Sequence, residues 1–343
     1  MSRFKRGLMA ITIAVGMTAV GAVSASAESI VGGGASFMGT FQATCAAKYS
    51  THTVAYISNA SGTGRNQFAV GNYDFGGTEA PYSKSEYQGR PGGYNFAPIT
   101  AGPIVIGYNV KGVTSLKLDN AAIGKIFRGE ITKWNDAALK KLNPQAKLPD
   151  ASIVVVYRNS NSGTTDNFAG YLEANKVAGW KRNGVLTTAN GKGAPAGSLG
   201  FVSNQQVTTA VKGTKNSIGY FDFADAKAQG IKSFAAVKNP AGEFVLPSTA
   251  SATKFIAKNA NVQPSGLVGM EWNKKIKGAY NIVAIAYIIG PNGQTDAKSK
   301  ATEDYAKYLL DTCGPKEATK AGYLPLTGKI LALAKTQVEK FSN

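Results

Sequence analysis

Three times along this chain a short strand-forming run gives way to a small polar loop and then to a helix-forming run. The first passes from a strand at 29–32 through Gly33-Gly34-Ala35-Ser36-Phe37 to a helix over 38–49. The second passes from a strand at 53–57 through Asn59-Ala60-Ser61-Gly62-Thr63-Gly64 to a short helix over 65–70. The third begins with Ser152-Ile153-Val154-Val155-Val156-Tyr157 and ends in a helix over 166–176, where Phe168, Tyr171 and Leu172 fall at helical spacing. Such a recurrence restricts the chain to α/β folds, in which loops at the carboxyl ends of strands converge. The 40 glycines suit a fold with many strand-to-helix turns.

The third loop, Arg158-Asn159-Ser160-Asn161-Ser162-Gly163-Thr164-Thr165, carries the most chemistry. The first N–H groups of a helix have no internal partner and lie at the positive end of its dipole. Arg158 adds a fork of donors that suits a tetrahedral oxyanion such as phosphate. Taken alone, Ser162-Gly163-Thr164 fits an ordinary cap and turn equally well.

The length of 343 residues allows two domains of ordinary size. At the N-terminus, Arg3, Lys5 and Arg6 precede an apolar stretch over 8–23, and Ala25-Ser26-Ala27 fits an export cleavage site. A mature chain starting at Glu28 is expected, exported, soluble and periplasmic. Without those three cations the formal charge of +18 falls by three, to +15. That balance would attract small anions or an anionic surface, although dispersed surface lysines account for it too. Nucleic acid is not expected as a partner, since neither a zinc-finger nor an RNA-binding motif accompanies the export signal. Cys45 and Cys313 are the two cysteines; in an oxidising compartment they allow one bridge, and two free buried thiols are the other reading.

Two long apolar runs stand out. Residues 96–110 exceed an ordinary strand and read as a crossing between domains, and 280–289 is a candidate return crossing. Further helices are expected over 120–127, 136–142, 205–212, 224–229, 248–259, 298–313 and 328–341. A strand is expected at 218–221, and 180–200 is expected to be loop. The last helix carries an amphipathic face of Ile330, Leu331, Leu333, Ala334, Val338 and Phe341.

In order along the chain, several stretches match one family. They are Gly33-Gly34-Ala35-Ser36-Phe37, Asp74-Phe75-Gly76-Gly77-Thr78-Glu79-Ala80-Pro81 and Ile123-Gly124-Lys125-Ile126-Phe127-Arg128-Gly129-Glu130-Ile131-Thr132-Lys133-Trp134-Asn135-Asp136. The loop around Ser162, Ile218-Gly219-Tyr220 and Gly322-Tyr323-Leu324-Pro325 follow. The chain resembles the periplasmic phosphate-binding proteins of Pst-type ABC transporters. The resemblance implies an α/β, two-lobed binding protein (type II-like), each lobe a mixed sheet flanked by helices around a ligand cleft. It implies a targeting segment at 1–27, one lobe from 28–100 with 278–343, and a second lobe from 101–277. The N- and C-terminal segments then share a lobe, which makes a Cys45–Cys313 bridge reasonable. It further implies phosphate as ligand, an inner-membrane permease as partner, a monomer, no cofactor and no enzymatic turnover.

The ligand residues implied are Ser36, Phe37, Ser61, Arg158, Ser162, Gly163 and Thr164, with Glu79 where the family usually has aspartate. A carboxylate among donors discriminates: protonated phosphate can donate to it, whereas sulfate has no proton to give. Glutamate keeps the charge and reaches one methylene further. Ser160 stands where an acidic partner for Arg158 is expected. An exported phosphatase-like protein on the same fold is one alternative, but the single histidine, His52, expected at the surface or at a strand end, cannot build a zinc site. There is no G-x-S-x-G elbow, and Gly191-Lys192-Gly193 lacks the spacing of a P-loop. A surface protein that reuses the fold is the other alternative. Leu324-Pro325-Leu326-Thr327-Gly328 fits a sortase pattern, but no hydrophobic tail follows it in this sequence, and a helix start near Thr327 explains it better.

Overall fold

The computed structural model describes residues 27–82, 89, 92–259 and 261–343; the expected targeting segment falls on 1–26, outside the described residues, and on Ala27. The strands are β1 (Ser29–Ala35), β2 (Thr53–Asn59), β3 (Phe75–Thr78), β4 (Tyr94–Asn109), β5 (Leu116–Leu118), β6 (Val154–Arg158), β7 (Leu199–Phe201), β8 (Ser217–Asp222), β9 (Ala235–Lys238), β10 (Phe244–Val245), β11 (Asn261–Val262), β12 (Val268–Gly269) and β13 (Val283–Pro291). The helices are α1 (Gly39–Ala46), α2 (Ser61–Ala69), α3 (Asn120–Phe127), α4 (Ala137–Leu142), α5 (Gly163–Ala174), α6 (Leu186–Ala189), α7 (Asn204–Gly213), α8 (Phe223–Ala228), α9 (Thr249–Asn259), α10 (Ala297–Tyr308), α11 (Gly314–Ala321) and α12 (Gly328–Val338). Among the described residues no helix is long and apolar enough to cross a membrane.

One mixed sheet of eight strands has the order β2-β1-β3-β13-β4-β8-β6-β7. It is built twice on the same plan. In the first half β1 pairs in parallel with β2 and β3, and β13 lies antiparallel beside β3. In the second half β6 pairs in parallel with β7 and β8, and β4 lies antiparallel beside β8.

The long apolar run is a single strand of 16 residues, and it does cross from one half to the other. Its residues Tyr94 to Pro103 pair with β13, and Ile104 to Asn109 pair with β8. Both faces are covered, so the run shows no polar alternation. Its two prolines lie where the ladder can spare an N–H. The register slips beside Pro98, between Ala286 and Tyr287, and Pro103 is the last residue before the change of partner. The second apolar run becomes β13 and belongs to the first half.

Several boundaries differ from the sequence-based ones for identifiable reasons. Helix α2 begins at Ser61 and α5 at Gly163, three or four residues earlier than the glycine-rich spellings suggest. The stretch 180–200, expected as loop, contains α6 and the start of β7. Gly314-Pro315 restarts the chain as α11 after a π-helical turn over Leu309–Cys313, because proline is tolerated in a first helical turn. Leu324 bridges to Ala101 in antiparallel fashion, which seats the sortase-like stretch within the fold. Cys45 of α1 and Cys313 are joined by a disulfide with Cα atoms 5.8 Å apart. His52 is a buried strand-end residue: its Nδ1 accepts from the Glu28 N–H at 3.1 Å.

Candidate anion-binding cleft

The loops that follow β1, β2 and β3 meet those that follow β6, β7 and β8. Close approach of bare backbone brings the first set forward. A Cβ on Gly64 of α2 would lie 2.5 Å from the Gly77 carbonyl and 2.7 Å from the Gly34 Cα. Only glycine lets α2 press onto β1 and β3 this tightly, and the contact delivers Ser61 to the end of the sheet. On the opposite side, Ser162 caps α5 by accepting from the Thr165 N–H at 3.2 Å. Ser203 and Gln206 form a capping box that fixes the start of α7.

Donors from both halves converge on Glu79, which follows β3 and is 3% exposed. Ser61 Oγ donates to its Oε2, and Thr164 Oγ1 donates to its Oε1 at 3.0 Å. The Gly163 N–H donates to Ser61 Oγ at 3.1 Å, and Asn167 Nδ2 donates to the Glu79 carbonyl at 3.0 Å. The Gly62 N–H donates across to the Asn161 carbonyl at 2.9 Å. Burial pushes the Glu79 carboxyl above the usual carboxylate range; the Ser61 hydroxyl, the Arg158 charge and the Thr164 hydroxyl pull it part of the way back.

Arg158, at the end of β6, is 1% exposed. Its Nε donates to the Val202 carbonyl at 2.7 Å and its Nη1 to Asn204 Oδ1 at 2.7 Å. Its Nη2 reaches the Asn59 carbonyl of the other half at 3.0 Å and Ser160 Oγ at 3.2 Å. The expected acidic partner is therefore replaced by neutral acceptors. Carboxylates stand one residue further back: Asn204 Nδ2 donates to both Thr164 Oγ1 and Asp222 Oδ2 at 3.0 Å. Burial and the neighbouring Asp225 hold Asp222 well above the usual carboxylate range. Asp225 also reaches the first half by accepting from Thr40 Oγ1 at 2.9 Å.

Of the residues implied by the sequence, Ser61, Glu79, Gly163 and Thr164 meet directly. Ser36 joins them through Asn204, whose N–H donates to Ser36 Oγ at 2.9 Å. Ser162 faces its own helix as a cap. The Phe37 ring packs edge-on against Tyr323 at 6.0 Å in the core, and its carbonyl accepts from the Tyr323 hydroxyl at 2.7 Å. Sequence reasoning missed Asn204, which ties Ser36, Arg158, Thr164 and Asp222 together. The Ser203 to Gln206 capping spacing could have revealed a fourth strand–loop–helix unit there. It also missed Asn167.

A sequence profile of the PBP superfamily domain matches residues 19–312. The phosphate-binding protein PstS of Pasteurella multocida is 34% identical over 327 residues, covering 92% of this chain and 91% of that protein. This chain belongs to the PstS phosphate-binding proteins of the PBP superfamily. The phosphate-binding protein PstS 3 of Mycobacterium leprae is 36% identical over 300 residues, covering 84% of this chain and 78% of that protein. Among solved structures, the high affinity periplasmic phosphate-binding protein PfluDING superposes with a TM-score of 0.73 at 21% identity, covering 92% of this chain and 99% of that one. That likeness concerns the fold.

Proposed function

We propose that this is an exported, periplasmic protein that takes inorganic phosphate into the cleft between its halves and hands it to an ABC-type membrane permease. The lobes are 28–100 with 278–343, and 101–277; the hand-over of β4 between Pro103 and Ile104 supports a division there. The observation that carries the reading is the convergence at Glu79. A hydroxyl from each half and the field of a buried guanidinium meet at one water-poor point, and such a point is complementary to an anion. The donors come from both halves, so a bound oxyanion would tie the lobes together and present a closed surface to a permease. The Ser36, Ser61, Gly163, Thr164 and Arg158 donors would hold phosphate oxygens, with the backbone at Phe37 and Ser162 at the edges. Glu79 would accept a proton-bearing oxygen. The names of the relatives, all phosphate-binding proteins, support binding over catalysis.

Calorimetry of the mature chain tests this. Phosphate is expected to bind with one site, and sulfate about 100-fold or more weakly, because it leaves Glu79 facing an oxygen with no proton to give. No heat of binding at millimolar phosphate, or equal affinity for the two anions, would overturn the reading.

A further inference from the structure

Glu79 is not simply one more contact in the cleft. Its carboxylate takes the Ser61 hydroxyl from α2 and, at 3.0 Å, the Thr164 hydroxyl from α5. It also fills the space in front of the α5 N-terminus, where a Cβ on Gly163 would fall 2.2 Å from Oε2. An aspartate on the same backbone would draw the carboxylate back by roughly one bond, about 1.5 Å. The Thr164 contact would then be out of reach. The glutamate thus satisfies donors from the two halves with the chain's own anion.

We propose that Glu79 is a tethered stand-in for the ligand, clasping the two halves through Ser61 and Thr164, so that a free oxyanion binds by displacing it. This rests on the phosphate-binding reading above. Displacement needs room, and the room is there. A cavity of about 250 Å³ beside the cleft is lined by Glu79 itself with Asn167, Arg182, Trp272 and Tyr287. Arg182 is held at its rim by Asp166 at 2.7 Å and stacks over Trp272 at 5.2 Å. The carboxylate can draw off both hydroxyls towards that cavity, its backbone anchored by Asn167, and stay at the cleft's edge to accept from a protonated phosphate oxygen.

Two consequences follow from competition between tethered and free anions. Affinity for phosphate is lower than the donor set alone would give, because Ser61 and Thr164 must first be released. The penalty also depends on the charge of Glu79. The groups facing it are Ser61 on α2, Thr164 and Asn167 on α5, Arg158 on β6, Tyr56 on β2, and Arg182 across the cavity. A carboxylate competes strongly for those donors and repels a second anion; a protonated carboxyl does neither. The penalty is therefore largest at alkaline pH and shrinks as pH falls through the raised titration of Glu79.

Calorimetry with inorganic phosphate on the mature chain, Glu79→Asp and Glu79→Gln at pH 5 and pH 8 tests the proposal. At pH 8 Glu79→Asp is expected to bind about tenfold tighter than the parent, since the Thr164 hydroxyl on the far half is returned to the ligand. Glu79→Gln keeps the length, removes the charge and serves as the control for the titration of phosphate itself. Its advantage over the parent is expected at pH 8 and to narrow at pH 5. Affinities of Glu79→Asp equal to or weaker than the parent at pH 8 would overturn the proposal. If that variant fails to melt like the parent, Glu79→Gln carries the same criterion. Absence of phosphate binding by all three proteins would instead overturn the phosphate-binding reading.

Discussion

Arg158→Met is expected to weaken phosphate binding by at least about 100-fold and to destabilise the fold as well. The guanidinium is 1% exposed and spends its donors on the carbonyls of Val202 and Asn59 and on the side chains of Asn204 and Ser160. Methionine fills a similar volume but takes their donor from Asn204 Oδ1 and the Asn59 carbonyl, at about 1–3 kcal/mol each before relaxation, while the Val202 carbonyl still accepts from Ser160 Oγ at 3.0 Å. The substitution also removes a positive charge that pulls the Glu79 carboxyl down, so that carboxyl would climb further. The two effects separate by measurement: denaturant unfolding reads the stability, and calorimetry at a temperature where the variant is folded reads the affinity. Arg158→Lys should fall between, since it keeps a charge and loses the fork that joins both halves. Unchanged phosphate affinity in Arg158→Met would remove Arg158 from the site.

The second large effect is expected at the disulfide. Cys45 and Cys313 are 268 residues apart in sequence, so the bond closes nearly the whole chain. Replacing both with alanine should cost about 4 kcal/mol of unfolding free energy, most of it from the freer unfolded chain. The bond also anchors α1, whose preceding turn carries Ser36, to the C-terminal helices. The double variant should therefore bind phosphate more weakly than the parent even where it remains folded. Equal denaturant midpoints with and without reductant would refute the stabilising role.

Much of this was legible in the residues. The strand–loop–helix recurrence located three of the four units whose ends meet, and the length of the 96–110 run marked the strand shared by both halves. The fourth unit escaped because β7 is three residues long and sits in a glycine-rich stretch, where neither periodicity nor propensity has room to register. Ser61 was placed in a loop because Gly62 and Gly64 disfavour a helix locally. Packing overrides that preference, since Gly64 lets α2 lie against β1 and β3 and Gly62 lies against Asn161. The roles within the site were the least legible. Ser162, implied as a ligand donor, also caps α5, whereas Asn204 looked like any polar helix residue and joins four parts of the cleft. Which hydroxyl faces the cleft depends on where a helix begins, and one residue of shift turns a side chain by about 100°. Glu79 was singled out by the resemblance, as a glutamate where the family usually has aspartate, and the structure gives its extra length a consequence: it reaches a donor on the far half.

The central claim is that this cleft, and no other surface, holds the oxyanion. A crystal structure of the mature chain at saturating phosphate tests it most directly. Phosphate oxygens are expected within hydrogen-bond distance of Ser61, Arg158, Thr164 and the Gly163 N–H, with the Glu79 carboxylate drawn away from Thr164. A cleft still filled by Glu79 with both hydroxyls in place, or phosphate bound elsewhere, would contradict the account.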